Sequence, residues 1–270
     1  MEGSEYVLGH STGEQARLSD QGVLLRPVTE RFLRDAGVGP GMTVLDVGCG
    51  TGEMTRLVAE LVGATGRVTG VDQSATALAT ARAQSGRVPN VQFVESGLGA
   101  YVHTRPLDAL VGRCALVHIP ERVGVVGRLA RQVRAGGVVA FCEPIVVSPP
   151  CATAPRPLLS GCMAWLAETF KRSAARPDMG LALPETFVEA GLPSPHFRVE
   201  GLPTVGADPS WLALLAGVVV SALPAMEHHG VATREQVRPD TLAKRLAEEG
   251  RTQGGTALPI CLGCASSRLT

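Results

Sequence analysis

Residues 44–52 read Val44-Leu45-Asp46-Val47-Gly48-Cys49-Gly50-Thr51-Gly52, an apolar run that enters a glycine-rich turn, with a helical pattern from Glu53 to Val62 behind it. Val44 to Val47 predict a buried strand. Glycines let the backbone approach a ligand closely and adopt dihedrals barred to other residues, and the helix that follows offers its unpaired N–H groups. The spacing is GxGxG rather than the GxGxxG that seats a dinucleotide pyrophosphate, which weighs against a nicotinamide oxidoreductase. Such a loop suits an amino acid end bearing both signs of charge. Asp46, at the end of the strand, can face an ammonium directly or through water.

Working outward, Asp72 follows the last of these glycines by the roughly twenty residues expected of a ribose-binding carboxylate at the end of a second strand. From Thr43 to Glu143 short apolar runs alternate with helical stretches, the pattern of a parallel sheet covered on both faces. Val44–Val47, Arg67–Val71, Val91–Val94, Ala109–Gly112 and Val138–Cys142 read as strands. Glu53–Val62, Ala75–Ala83 and Arg122–Val133 read as helices, the last stopped by Gly136-Gly137. Beyond Glu143, Pro144, Pro149, Pro150, Pro155 and Pro157 break the pattern. Helical segments then follow at Leu158–Ala175, Pro184–Ala190, Trp211–Leu223 and Thr233–Ala247, with strands at Phe197–Glu200 and Ile260–Ala265.

Composition narrows the function. The chain has 270 residues, 45% of them hydrophobic, enough for a sizeable core. Lys plus Arg and Asp plus Glu each number 25, so no net field favours nucleic acid or an anionic membrane. No apolar run is read as a membrane span, and Met1 to Leu18 is too polar for a signal core, which predicts a cytoplasmic protein. The seven cysteines form no regular framework and read as free thiols. Cys261 and Cys264 spell CxxC, but on a strand they point to opposite faces, so no metal site is expected.

These residues resemble class I S-adenosylmethionine-dependent methyltransferases. VLDVGCGTG is similar to their first motif, VTGVDQS at Val68–Ser74 to their second, and VRAGGVVAFCEP at Val133–Pro144 to their fifth-strand motif. Further stretches resemble a bacterial small-molecule subgroup: Tyr6-Val-Leu-Gly-His-Ser, Val111-Gly112-Arg113 through His118, Ala190 to Pro195, and the helical segment Trp211 to Leu246. The resemblance implies a Rossmann-like α/β fold with a seven-stranded, mostly parallel sheet, its last strand reversed, and helical cap insertions. The expected segments are an N-terminal flap over residues 1–25, a cofactor-binding core over 26–143, and a cap insertion over 144–183. Residues 184–202 and 251–270 would complete the core, and 203–250 form a second cap.

The resemblance also implies S-adenosylmethionine as cofactor and S-adenosylhomocysteine as product. Gly48, Cys49, Gly50 and Gly52 would line the methionine end, Asp72 the ribose and Gln73 the adenine face. Where the family places an aspartate after the third strand, this chain aligns Gly97, so Ser96, Gly97 and Leu98 are left to meet the adenine. Gly112 and Arg113 fall beside the expected methionine carboxylate, although Arg113 also reads as a surface arginine paired with a helix carboxylate. Tyr6 and His10 belong to the flap over cofactor and acceptor, or to a frayed terminus.

His118, after the fourth strand, is the candidate base because histidine titrates near neutral pH; a structural or cofactor-shaping role is its rival. Glu143 ends the fifth strand, where it would bind a polar acceptor group or cap the chain before Pro144. Glu227, His228 and His229 read as a solvated turn. Met163, Trp165, Phe170, Trp211 and Leu215 are candidates for an apolar acceptor wall, or pack cap on core. The expected activity is methyl transfer to oxygen, carbon or nitrogen of a small molecule in specialised-metabolite biosynthesis. The runner-up keeps the cofactor but catalyses a cyclisation or rearrangement. The expected partner is the small-molecule substrate alone, with self-association into a homodimer left open.

Overall fold

The computed structural model describes residues 7–9, 11–86, 88–146, 150–205 and 209–270; the Tyr6 and His10 expectations lie outside the described residues. A sheet of parallel strands forms the centre: β1 (Thr43–Val47), β2 (Arg67–Asp72), β3 (Val91–Glu95), β4 (Leu107–Arg113) and β5 (Val133–Ile145). Their order is β3-β2-β1-β4-β5, and the antiparallel β8 (Thr256–Arg268) then pairs β5. The two-residue β6 (Cys151–Ala152) and the longer β7 (His196–Val205) both pair β8. Seven long strands, mostly parallel with the last reversed, are the architecture implied by the sequence.

Crossover helices fill both faces. α2 (Glu53–Val62) joins β1 to β2, α3 (Ala75–Ser85) joins β2 to β3, and α4 (Arg122–Ala130) joins β4 to β5. One core cluster gathers Leu45, Val47, Leu110 and Phe141 against later helices; the other gathers Val44, Val68, Val111 and Cys264 against α2 and the N-terminal helix. Alternate residues of each strand serve opposite faces, which is why β1 and the buried middles of β2, β4 and β5 are largely apolar, while the edge strand β3 is only half buried and carries Gln92 and Glu95. α4 ends at Ala130 rather than at Val133, and Val133 already begins β5.

The N-terminal segment holds one long helix, α1 (Thr12–Asp35), which runs without a break past residue 25. The Ser11 hydroxyl accepts from the Glu14 N–H at 3.1 Å and starts it. After β5 come α5 (Pro157–Arg172), α6 (Met179–Glu189), α7 (Pro209–His228), α8 (Arg234–Val237) and α9 (Pro239–Gln253). The single helix expected over Thr233–Ala247 is therefore two. Pro239 cannot continue a helix from α8, and Arg238 turns between them at φ +52°. Contrary to the sequence expectation, α7 is long and apolar enough by composition to cross a membrane over Ser210–His228. It packs on α1, α5 and α9 within the fold.

One thiol expectation is corrected. Cys142 of β5 and Cys264 of β8 are direct register partners and form a disulfide, with 4.2 Å between their Cα atoms. They lie 122 residues apart in the chain, so sequence spacing hid a pair that antiparallel register makes close. The other five cysteines are free.

Candidate active site

A cleft of about 830 Å³ opens at the carboxyl ends of β1, β2, β4 and β5, roofed by α1, α5 and α7. The strand order reverses beside β1, between β1 and β4, and open α/β sheets bind ligands at such a switch point.

The floor at one end is the loop after β1. The Gly48 and Cys49 N–H groups donate to the Val71 carbonyl at 2.8 and 3.1 Å, tying the loop to β2. Gly48 and Gly50 take φ of +66° and +51°, where a side chain is strained, and a Cβ on Gly48 would lie 2.7 Å from that of Ala115. The Asp72 carboxylate accepts from the Gly50 N–H at 2.9 Å and from the Ser74 N–H at 2.8 Å. Loop and acid are thereby one rigid unit facing the cleft, with Gln73, Ser74, Gly97 and Leu98 beside it.

Asp46 lies beneath the loop, 1% exposed, accepting from the Thr55 hydroxyl at 2.6 Å. Burial raises its pKa to about 7, partly opposed by the Thr55 hydroxyl and the charge of Arg113. Arg113 lines the cleft and donates to the Thr29 hydroxyl of α1 at 3.0 Å, and among the described residues it pairs with no helix carboxylate.

The other end of the cleft is built on the 3-10 turn Leu116–His118. Glu143, expected either to bind a polar acceptor group or to cap the chain before Pro144, is fully buried and is not among the described residues that line the cleft. Its carboxylate accepts from the backbone N–H groups of Ala115, Leu116 and Val117 at 3.0, 3.1 and 3.0 Å. Three convergent N–H groups tie the Glu143 carboxyl to the turn, so Glu143 fixes the turn that presents His118. Burial still raises the Glu143 pKa to about 7, against the lowering by those three donors. His118 does reach the cleft, and its ring meets Phe170 edge-on at 6.0 Å between centroids. Burial, and secondly the charge of Arg17, lower its pKa to about 4, so it does not titrate near neutrality as expected.

The apolar wall is partly the one expected. Met163, Phe170 and Leu215 line the cleft together with Leu166, Leu214 and Val218. Trp165 and Trp211 do not; they pack against the two core clusters. Gly52, Ser96 and Gly112 also stand off the cleft. A Cβ on Gly112 would lie 2.4 Å from the Phe141 ring, and one on Gly52 2.9 Å from Phe93, so both are packing glycines. Sequence reasoning missed α1, which brings Arg17, Leu18, Gln21 and Leu25 to the cleft. The signal was present in Ser11 with Glu14 three residues on and in Leu18, Leu25 and Phe32 at heptad spacing.

A sheet of this order, with a glycine loop after its first strand locked to an acid at the end of its second, defines the class I methyltransferase fold. A family profile described as methyltransferase domain matches residues 39–176. The chain belongs to that family. Among curated relatives, trans-aconitate 2-methyltransferase of Rhizobium etli is 37% identical over 100 residues, 37% of this chain and 38% of the relative. Demethylmenaquinone methyltransferase of Staphylococcus aureus is 30% identical over 115 residues, 42% and 48% of the two chains. The matches thus span less than half of these relatives. The fold extends further: a phosphoethanolamine N-methyltransferase of Haemonchus contortus, crystallised with phosphomonomethylethanolamine and S-adenosylhomocysteine, superposes with a TM-score of 0.55 at 17% identity. That superposition covers 90% of this chain and 53% of the other.

Proposed function

We propose that the chain transfers the methyl group of S-adenosylmethionine to a small organic molecule. The observation that carries this reading is the Gly48–Gly52 loop bonded to Asp72 at the open edge of the sheet. When bound, the cofactor supplies a sulfonium methyl already activated for transfer. The protein must therefore bind, align and exclude water. Gly48 to Gly50 present backbone to the methionine end, Asp46 meets its ammonium, and Asp72 keeps lone pairs for ribose hydroxyls. Gln73, Gly97 and Leu98 border the adenine. Glu143 holds the turn that places His118 against the acceptor, and α5 and α7 supply the apolar wall. Residues 144–183 and 203–250 act as the caps that set specificity. The role falls in a biosynthetic pathway of the cytoplasm.

The test is transfer of isotopic methyl from labelled S-adenosylmethionine to acceptor in a panel of small molecules. Label appearing in an acceptor supports the reading. Conversion of an acceptor without label, with the cofactor bound, supports the cyclisation alternative instead.

A further inference from the structure

Arg17 reaches the cleft from α1 and is 7% exposed. Its Nε and Nη2 donate to the Glu14 carboxylate at 2.7 and 2.6 Å, and its Nη1 donates to the Gln21 amide oxygen at 2.7 Å. Both partners lie about one turn away on the same helix, so α1 itself fixes the plane of the guanidinium. α7 makes room for its stem: a Cβ on Gly217 would lie 3.1 Å from Arg17 Cγ. Glu14, 1% exposed, is not among the described residues that line the cleft, so the cation faces the cavity and the carboxylate stands behind it.

The cleft that Arg17 faces includes an apolar stretch, from Met163, Leu166 and Phe170 on α5 to Leu214, Leu215 and Val218 on α7. The Glu14 carboxylate offsets part of the Arg17 charge from behind, and the remainder is directed at the cleft. It is felt at Cys114 and at His118, both of whose protons it disfavours. A neutral His118 can orient an acceptor but cannot store its proton at neutral pH.

We propose that the nucleophile is a carboxylate, already ionised when it binds, held at Arg17 with the apolar remainder of the molecule against α5 and α7. The oxygen lone pair forms the new O–CH3 bond as the S–CH3 bond breaks and its electron pair passes to sulfur. One negative and one positive charge cancel, and no proton has to leave. An amine acceptor would have to shed a proton beside a cation.

This inference rests on the methyl-transfer reading, whose cofactor step is checked separately by titration with S-adenosylhomocysteine alone. With the protein saturated in S-adenosylhomocysteine, octanoate and octanamide are compared by calorimetry; they share an apolar chain and differ in charge. Octanoate is expected to bind at least about tenfold more tightly, a preference lost in Arg17→Gln and increased in Glu14→Gln. Equal affinities, no octanoate binding to the loaded protein, or an unchanged preference in Arg17→Gln overturns the proposal. Should Arg17→Gln fail to fold, the wild-type comparison and Glu14→Gln still decide, and a preference that falls in Glu14→Gln counts against it.

Discussion

The Gly50 N–H donates to Asp72 at 2.9 Å, so the loop after the first strand and the acid ending the second hold each other in one geometry. Gly50 takes φ +51°, and a Cβ added to it would have nothing within 4 Å, because that direction is the open cleft. A larger residue there is strained and intrudes on the ligand without disturbing the core. Gly50→Val is expected to weaken S-adenosylhomocysteine binding at least tenfold, about 1.4 kcal/mol, and its strained backbone to cost about 1–3 kcal/mol of stability. Calorimetric titration beside a thermal melt checks both halves.

Asp46 predicts that cofactor binding releases a proton. Its pKa in the free protein is raised to about 7 by burial, so near pH 7 it is about half protonated. An incoming ammonium favours the carboxylate and drives the proton off. Titration with S-adenosylhomocysteine at pH 7 in two buffers of different ionisation enthalpy should show release of a fraction of a proton, absent in Asp46→Asn. Buffer-independent heats in the wild type would exclude a charge contact at Asp46.

Glu143 predicts the pH dependence of stability. Its pKa is raised from 4.5 to about 7, so folding favours the protonated carboxyl. That contribution is fully present below the unfolded value and is lost as pH rises through about 7. Wild-type stability should therefore fall relative to Glu143→Gln between pH 4.5 and 7. The difference between their denaturation midpoints at several pH values measures this; a difference that stays flat or moves the other way would show that the three N–H donors outweigh burial.

Much of this fold is legible in the chain because strands buried on both faces must be largely apolar, as Val44–Val47 and Val68–Val71 are, and because these runs and the edge strand Val91–Val94 are bounded by turn residues. The glycine loop and Asp72 are local signals and come together as expected. Direction is not legible. Trp165 and Trp211 stand out by size, but helix rotation turns them away from the cleft while Phe170 and Leu215 face it. Glu143 lies at the expected edge, yet only the path of Ala115 to Val117 shows that its carboxylate points into the chain. α1 is hidden by its polar composition and by Pro27 in its interior.

The apolar wall gives a contrast between aromatics. Phe170 is 4% exposed, lines the cleft and touches His118, so Phe170→Ala should impair acceptor use and cost about 3–5 kcal/mol of stability. Trp165→Ala and Trp211→Ala should lower stability while leaving acceptor preference as it was. Relative turnover across an acceptor panel, beside thermal melts, distinguishes the two classes.

The cofactor site is where methyl transfer is tested most directly. Titration of the purified protein with S-adenosylhomocysteine should show one site per chain, no competing affinity for NAD, and at least tenfold weaker binding in Asp72→Ala with its fold retained by circular dichroism. Wild-type affinity in Asp72→Ala, or no binding of S-adenosylhomocysteine at all, would contradict it.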